Sequence, residues 1–317
     1  MTLSIVIPVY NAEKTIQRAI LSAQRLGDVE IICVDDGSQD DSVKRIDSMC
    51  TPQSSLVLVR HQQNRGVGAA RNTGITHSSR TWITFLDADD EIHADADPLA
   101  VLNAVNNSNP DLVICLHQTD GTNLPPFDYE MPTGILTRES FVSLAGAYLN
   151  NPQGNSIVSH CWGKIYRADF LSSNSLTFRE DLSVYEDTEF VARSLKLAQC
   201  GYFSRDTLYR YKLSRGLSRS FVLAPLSFRF ALEQFAEFAG SVSDMARANA
   251  IFLAKTLSLS ARFSLKGRID LCRRLAVGVD HLKMDASAIH DPLLRIIIEK
   301  QWYRYERACA LLLALKR

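Results

Sequence analysis

The feature that most constrains this chain is an alternation along its first third. Short runs rich in Val and Ile at 3–9, 30–34, 56–59 and 81–86 read as strands. Between them, residues 12–25, 41–49 and 67–76 carry apolar side chains at helical spacing. A fifth strand is expected over 111–116, after a helix over 98–107. Strand–helix alternation of this kind predicts an α/β fold, with a mostly parallel central sheet flanked by helices. Sheets of that class bind ligands beyond the carboxyl ends of their strands, where the loops gather.

The rest is less regular. Residues 118–132 and 151–156 read as loops, 138–150 as a helix, and the chain from 225 onward as a helical extension. Hydrophobic residues make up 46% and charged residues 22%, which excludes a disordered or fibrous protein. Seven scattered cysteines with no CxxC pair are expected to be reduced thiols of a cytoplasmic protein. The opening MTLSIVIPVYNAEK has no basic leader and reads as a strand, not a signal peptide. No apolar stretch reaches the roughly 18 residues of a membrane span. The net charge of zero conceals an asymmetry: residues 1–204 hold 15 Lys and Arg against 25 Asp and Glu, and the remainder holds 20 against 10. An acidic front suits cations; a basic rear suits phosphates or an anionic membrane surface.

Polar clusters follow nearly every front-half strand. Asp35-Asp36-Gly37-Ser38 follows the second, residues 64–72 the third, and Asp87-Ala88-Asp89-Asp90 the fourth. A parallel sheet brings all three to one rim. Three carboxylates within four positions repel one another unless a cation sits among them. Alone they also suit a solvated, helix-capping turn, but their place after an apolar strand favours Mg²⁺ or Mn²⁺. Residues 66–71 superficially match a dinucleotide fingerprint. They follow the third strand, however, and Arg71 stands where the last Gly belongs, so that reading fails.

Together these segments resemble family-two glycosyltransferases. The resemblance runs from Ser4 to about Ser220 and rests on SIVIPVYN (4–11), VDDGSQDDS (34–42), NRGVGAARNTG (64–74), FLDADD (85–90), CWGKIYR (161–167), YEDTEF (185–190) and YRYKLSRGLSRS (209–220). It implies a GT-A catalytic domain over 1–222, with a nucleotide-binding half to about 117 and an acceptor half from 118, and a helical region over 223–317. It implies that Pro8, Val9 and Tyr10 line the base pocket, that Asp36 bonds the uracil with Asp35 in support, that Arg71 holds base or diphosphate, and that Asp87 touches the ribose. Asp89 would ligate the Mn²⁺ or Mg²⁺ bridging the phosphates of a UDP-sugar.

By the same resemblance Asp187 is the general base and Glu186 contacts acceptor or donor sugar. An acceptor hydroxyl ionises far above neutrality, so its attack needs such a base. The plain alternative for both is first-turn acids favoured by the helix dipole. Trp162 and Lys164 are candidate acceptor residues, Trp162 being equally a core residue, and Arg215 lies in a basic run that, by the resemblance, closes on the diphosphate and is otherwise a solvated positive face. His160 is a lone histidine, seldom a metal ligand. The expected acceptor is a glycan or lipid-linked glycan, with no nucleic acid partner. Residues 292–317 are basic and amphipathic, expected to pack on the core or to dock peripherally at the inner face of the cell membrane. A nucleotidyltransferase or a non-catalytic nucleotide-sugar binding protein are the rival readings; the PVYNAEK turn argues against the first, and the intact Asp89 and Asp187 against the second.

Overall fold

The computed structural model describes residues 2–51, 55–120, 131, 133–150, 156–212, 225–240, 246, 249–251, 253–254 and 292–299. Strands β1 (Leu3–Val9), β2 (Val29–Asp35), β3 (Leu56–Arg60) and β4 (Trp82–Phe85) alternate with helices α1 (Ile16–Gln24), α2 (Ser42–Asp47) and α3 (Val67–His77). All pairings among these strands are parallel. Every residue of β1 and β4 is buried. A parallel strand covered on both faces has no solvent side, and this is why both read as unbroken apolar runs. Leu3, Ile5, Ile7 and Val9 enter one core with Ile16, Ala19 and Ile20 of α1, whereas Val6 enters the other. The period of two thus builds two cores from one strand.

Beyond β4 come β5 (Glu91–Ile92), α4 (Pro98–Ala104), β6 (Leu112–Thr119), β7 (Gly134–Leu136), α5 (Arg138–Asn150), β8 (Lys164–Arg167), α6 (Ala168–Ser173), α7 (Glu186–Leu197) and β9 (Gly201–Tyr211). The strand order is β3-β2-β1-β4-β8-β6-β9-β5, with β7 added on β9. β8 runs antiparallel between β4 and β6, and β6 pairs with β9 in parallel. The expected helix over 98–107 divides into α4 and a 3₁₀ turn, Asn106–Ser108. β6 continues to Thr119, so residues 118 and 119 extend a strand where a loop was expected; residues 121–130 and 151–155 lie outside the described residues. α1 starts at Ile16 because residues 12–15 close a turn first, Thr15 N–H donating to the Ala12 carbonyl at 3.0 Å.

In the carboxy-terminal region, a helix over Pro225–Ala239 contributes Leu232, Phe235 and Ala236 to the second core, together with Leu294, Ile297 and Ile298 of the helix Pro292–Glu299. The apolar face of that last helix is therefore turned inward, with Ile296 exposed. Residues 300–317 of the expected amphipathic segment lie outside the described residues. Among the described residues no helix is long and apolar enough to cross a membrane.

One glycine fixes how closely α3 approaches β1. A Cβ on Gly74 would stand 2.2 Å from Cγ1 of the buried Val6. Val is stiff at χ1 and sits mid-strand, so the clash has little relief. Alanine favours a helix over glycine by about 1 kcal/mol, whereas overpacking costs about 1–3 kcal/mol. Gly74→Ala is expected to lower the urea midpoint; a raised midpoint would show that propensity outweighs the clash.

Candidate active site

The segments after β1, β2 and β4, together with α3, open onto a cleft of about 670 Å³, whose lining includes Pro8, Tyr10, Lys14, Arg71, Asp87 and Asp89. Its wall after β1 is stitched to the turn after β2. Asn11 N–H donates to Ser38 Oγ (3.0 Å), Ala12 N–H to Ser42 Oγ (2.7 Å), Glu13 N–H to Asp40 Oδ2 (3.0 Å), and Gln39 N–H to Asn11 Oδ1 (2.8 Å). Asn11 accepts a left-handed φ of 49° to make this closure. The DGSQDDS string thus holds the cleft wall in place.

Placement of the expected base-pocket residues varies. Tyr10 is 50% exposed at the cleft, which removes core packing as its role, and Pro8 lines the cleft as expected. Val9 does not line it: the side chain is buried in the first core. Asp35 is buried and its Oδ1 accepts the Ser38 N–H at 3.2 Å. Asp36 departs most from expectation. It is buried, and its oxygens already accept from Arg65 N–H (2.9 Å) and Gly66 N–H (2.8 Å), with His61 Nδ1 at 2.7 Å. That carboxylate anchors the loop leading into α3 and is absent from the cleft lining. His61, which carried no sequence signal, completes the anchor by reaching Thr73 Oγ1 through its other nitrogen at 2.8 Å.

Arg71 occupies the centre. It is 4% exposed and bridges two elements, with Nη2 3.0 Å from Asp87 Oδ1 and Nη1 2.7 Å from Glu186 Oε1. Its Nε has no partner. Asp89 stands beside the bridge, exposed at the cleft, and no other residue among those described hydrogen-bonds its carboxylate. Partial desolvation there, and then the charge of Asp87, hold this carboxyl above its usual range, and the Arg18 charge partly offsets the rise. Hard divalent cations of the Mg²⁺ type bind through one or two carboxylates plus substrate phosphates. A carboxylate facing a cleft fits that requirement. Among the described residues no cage of three or more ligating side chains is present. Asp90 turns the other way: it is buried, accepting from Tyr209 Oη–H (2.6 Å) and Lys212 N–H (2.7 Å). Burial, against those two donors, pushes it up to about 7.

The Glu186–Asp187 pair opens α7 and follows Tyr185, whose φ of 61° is a left-handed conformation at a bulky residue. Such strain concentrates where surrounding structure fixes a functional geometry. Asp187 Oδ1 accepts the Thr188 N–H at 2.7 Å, and Oδ2 lies 3.1 Å from His160 Nδ1. Burial opposes its ionisation, but the His160 hydrogen bond and charge, Arg71 and the Thr188 amide together hold it below the usual carboxylate range. Glu186 moves upward, through burial first and then the adjacent Asp187 charge. Environments that drive two neighbouring carboxyls apart mark distinct acid–base roles.

Neither acceptor candidate presents itself to a ligand. Lys164 is fully buried, its ammonium spent on the Ile157 and His160 carbonyls, and burial pushes it down to about 8. Trp162 is 4% exposed and stacks on His160, Tyr209 and Tyr211, so its rings are not open to a sugar. Arg215 lies outside the described residues.

The sequence profile described as glycosyl transferase family 2 matches residues 4–171. The uncharacterized glycosyltransferase EpsJ of Bacillus subtilis is 29% identical over 214 residues, covering 66% of this chain and 60% of that protein. The chain spans about three-fifths of the length of the curated relatives it matches first. Among solved structures, S. aureus TarS 1–349 in complex with UDP-GlcNAc superposes with a TM-score of 0.63 at 21% identity, covering 97% of this chain and 91% of that one. The mannosyltransferase PcManGT from Pyrobaculum calidifontis, in complex with GDP-Man and Mn²⁺, gives 0.54 at 15%, covering 99% and 86%. At these identities the likeness speaks for the fold, which is GT-A. With the profile covering more than half its length, the chain belongs to glycosyl transferase family 2.

Proposed function

We propose that this protein is an inverting glycosyltransferase, moving a sugar from a UDP-sugar to a hydroxyl of a glycan or lipid-linked glycan. The observation that carries the reading is the contact between the cleft and α7: Arg71 joins Asp87 to Glu186, immediately beside the ionised Asp187. Asp187 accepts the proton of the acceptor hydroxyl, whose oxygen attacks C1 of the donor sugar. The C1–phosphate oxygen bond breaks on the opposite face, its electron pair leaves with UDP, and the anomeric centre is inverted. Arg71 and Asp87 fix the donor against this base, and Tyr10 covers the nucleotide base. When bound, a Mn²⁺ or Mg²⁺ ion held by Asp89 would neutralise the diphosphate. TarS with UDP-GlcNAc and PcManGT with Mn²⁺ support a nucleotide-sugar donor and a divalent cation.

A panel of UDP- and GDP-sugars, scored by nucleotide release with and without acceptor glycans, tests the reading. Release with no donor of either kind sinks it. EDTA is expected to abolish release and Mn²⁺ or Mg²⁺ to restore it, while Asp89→Ala loses metal-dependent UDP binding with its melting curve intact. Undiminished release in EDTA would remove the cation from the scheme.

A further inference from the structure

Among the described residues, the side chain that meets the second oxygen of Asp187 from outside its own helix is His160. The histidine is itself held at its carbonyl and on its ring. Its carbonyl accepts from the buried Lys164 ammonium at 2.5 Å, and the same ammonium grips the Ile157 carbonyl of the preceding 3₁₀ turn. Its ring lies flat on Trp162, centroids 4.4 Å apart and planes within 7°. Trp162 stacks in turn on Tyr209, at 4.4 Å and 8°, and the Tyr209 hydroxyl is bonded to Asp90 of the Asp-rich turn.

The geometry points to His160 as the positioning residue of the base. It fixes the rotation of the Asp187 carboxylate from the Oδ2 side, as the Thr188 amide does from the Oδ1 side, so that a free lone pair faces the acceptor. The inference rests on the proposed base role of Asp187. A buried lysine and an indole with covered faces, the two residues expected to touch acceptor, here serve to hold the imidazole. The column also ends on the turn that carries Asp89, so the base and the donor side share one rigid support. No proton passes through His160 in this scheme; it holds and does not react.

The test compares His160→Ala, His160→Asn and Asp187→Asn in one assay, with UDP titrations beside the steady-state rates. Misplacing a reacting group by about 1 Å can cost about 10²-fold. His160→Ala is therefore expected to lower kcat roughly ten- to hundredfold, with donor KM and UDP affinity unchanged. His160→Asn offers an amide N–H near the Nδ1 position and is expected to restore most of the rate. Wild-type kcat in His160→Ala, alongside a collapsed Asp187→Asn, overturns the positioning role and leaves the proposed function standing. A loss of UDP affinity in His160→Ala, or no rescue by Asn, overturns it as well, since either means the ring is only structural. If Asp187→Asn keeps normal turnover, the base assignment fails first and the role of His160 falls with it.

Discussion

Asp187→Asn is expected to lower turnover by about 10²–10⁴-fold, the range of a general-base contribution, with UDP affinity nearly unchanged. The substitution keeps the size of the side chain and a partner for His160 but removes the lone pair that takes the proton. In the proposed scheme UDP is held elsewhere, by the cleft around Tyr10, Arg71 and the Asp89 carboxylate. Because His160 and Arg71 hold the Asp187 carboxyl below its ordinary range, the wild-type base stays ionised through neutrality, and turnover should fall only in acid. Glu186→Gln should hurt less and appear chiefly as a raised Michaelis constant. Steady-state rates beside calorimetric UDP titration separate the two; near-normal turnover in Asp187→Asn would reduce it to a first-turn acid of α7.

The second large effect is expected at Arg71. Replacing it by Met leaves the apolar stem but strands two carboxylates, Asp87 and the buried Glu186, without their shared cation. Breaking a buried pair in this way costs about 3–5 kcal/mol, a large share of the roughly 5–15 kcal/mol that holds a domain together. Arg71→Met is therefore expected to lower the urea midpoint strongly and to abolish transfer. Arg71→Lys keeps a charge but cannot reach both carboxylates from one planar fork, so it should fall between. A wild-type urea midpoint in Arg71→Met would show that the bridge adds no stability.

Sequence patterning was most legible where burial was complete. β1, β2 and β4 announce themselves because parallel strands covered on both faces cannot hide their Val and Ile. β8 was not anticipated: it is as short as β4, but it begins with a lysine whose charge is satisfied by carbonyls that pattern cannot foresee. β9 escaped because its apolar positions do not alternate cleanly, and its pairing with β6 shifts register near Leu116. The same limit applies within the site. Asp35, Asp36, Asp87 and Asp89 were all expected at one rim, but which carboxylate stays free depends on loop amides at Arg65 and Gly66. His160 is distant from Asp187 in sequence, and only the return of β8 beside β4 brings them together.

The position of β8 also bears on how the chain can be made. Only the two-residue β5, α4 and the 3₁₀ turn after it separate β4 from β6 in sequence, yet the two are not neighbours in the sheet; the slot between them, about 10 Å wide at strand spacing, is filled by residues 164–167. A chain grown only as far as β6 is therefore expected to leave the apolar edge of Trp82–Phe85 unpaired, a state prone to edge-to-edge association. A fragment ending at residue 117 would keep that edge permanently and hold a β6 with nothing beside it. The smallest piece that closes the sheet from β3 to β9 reaches Tyr211.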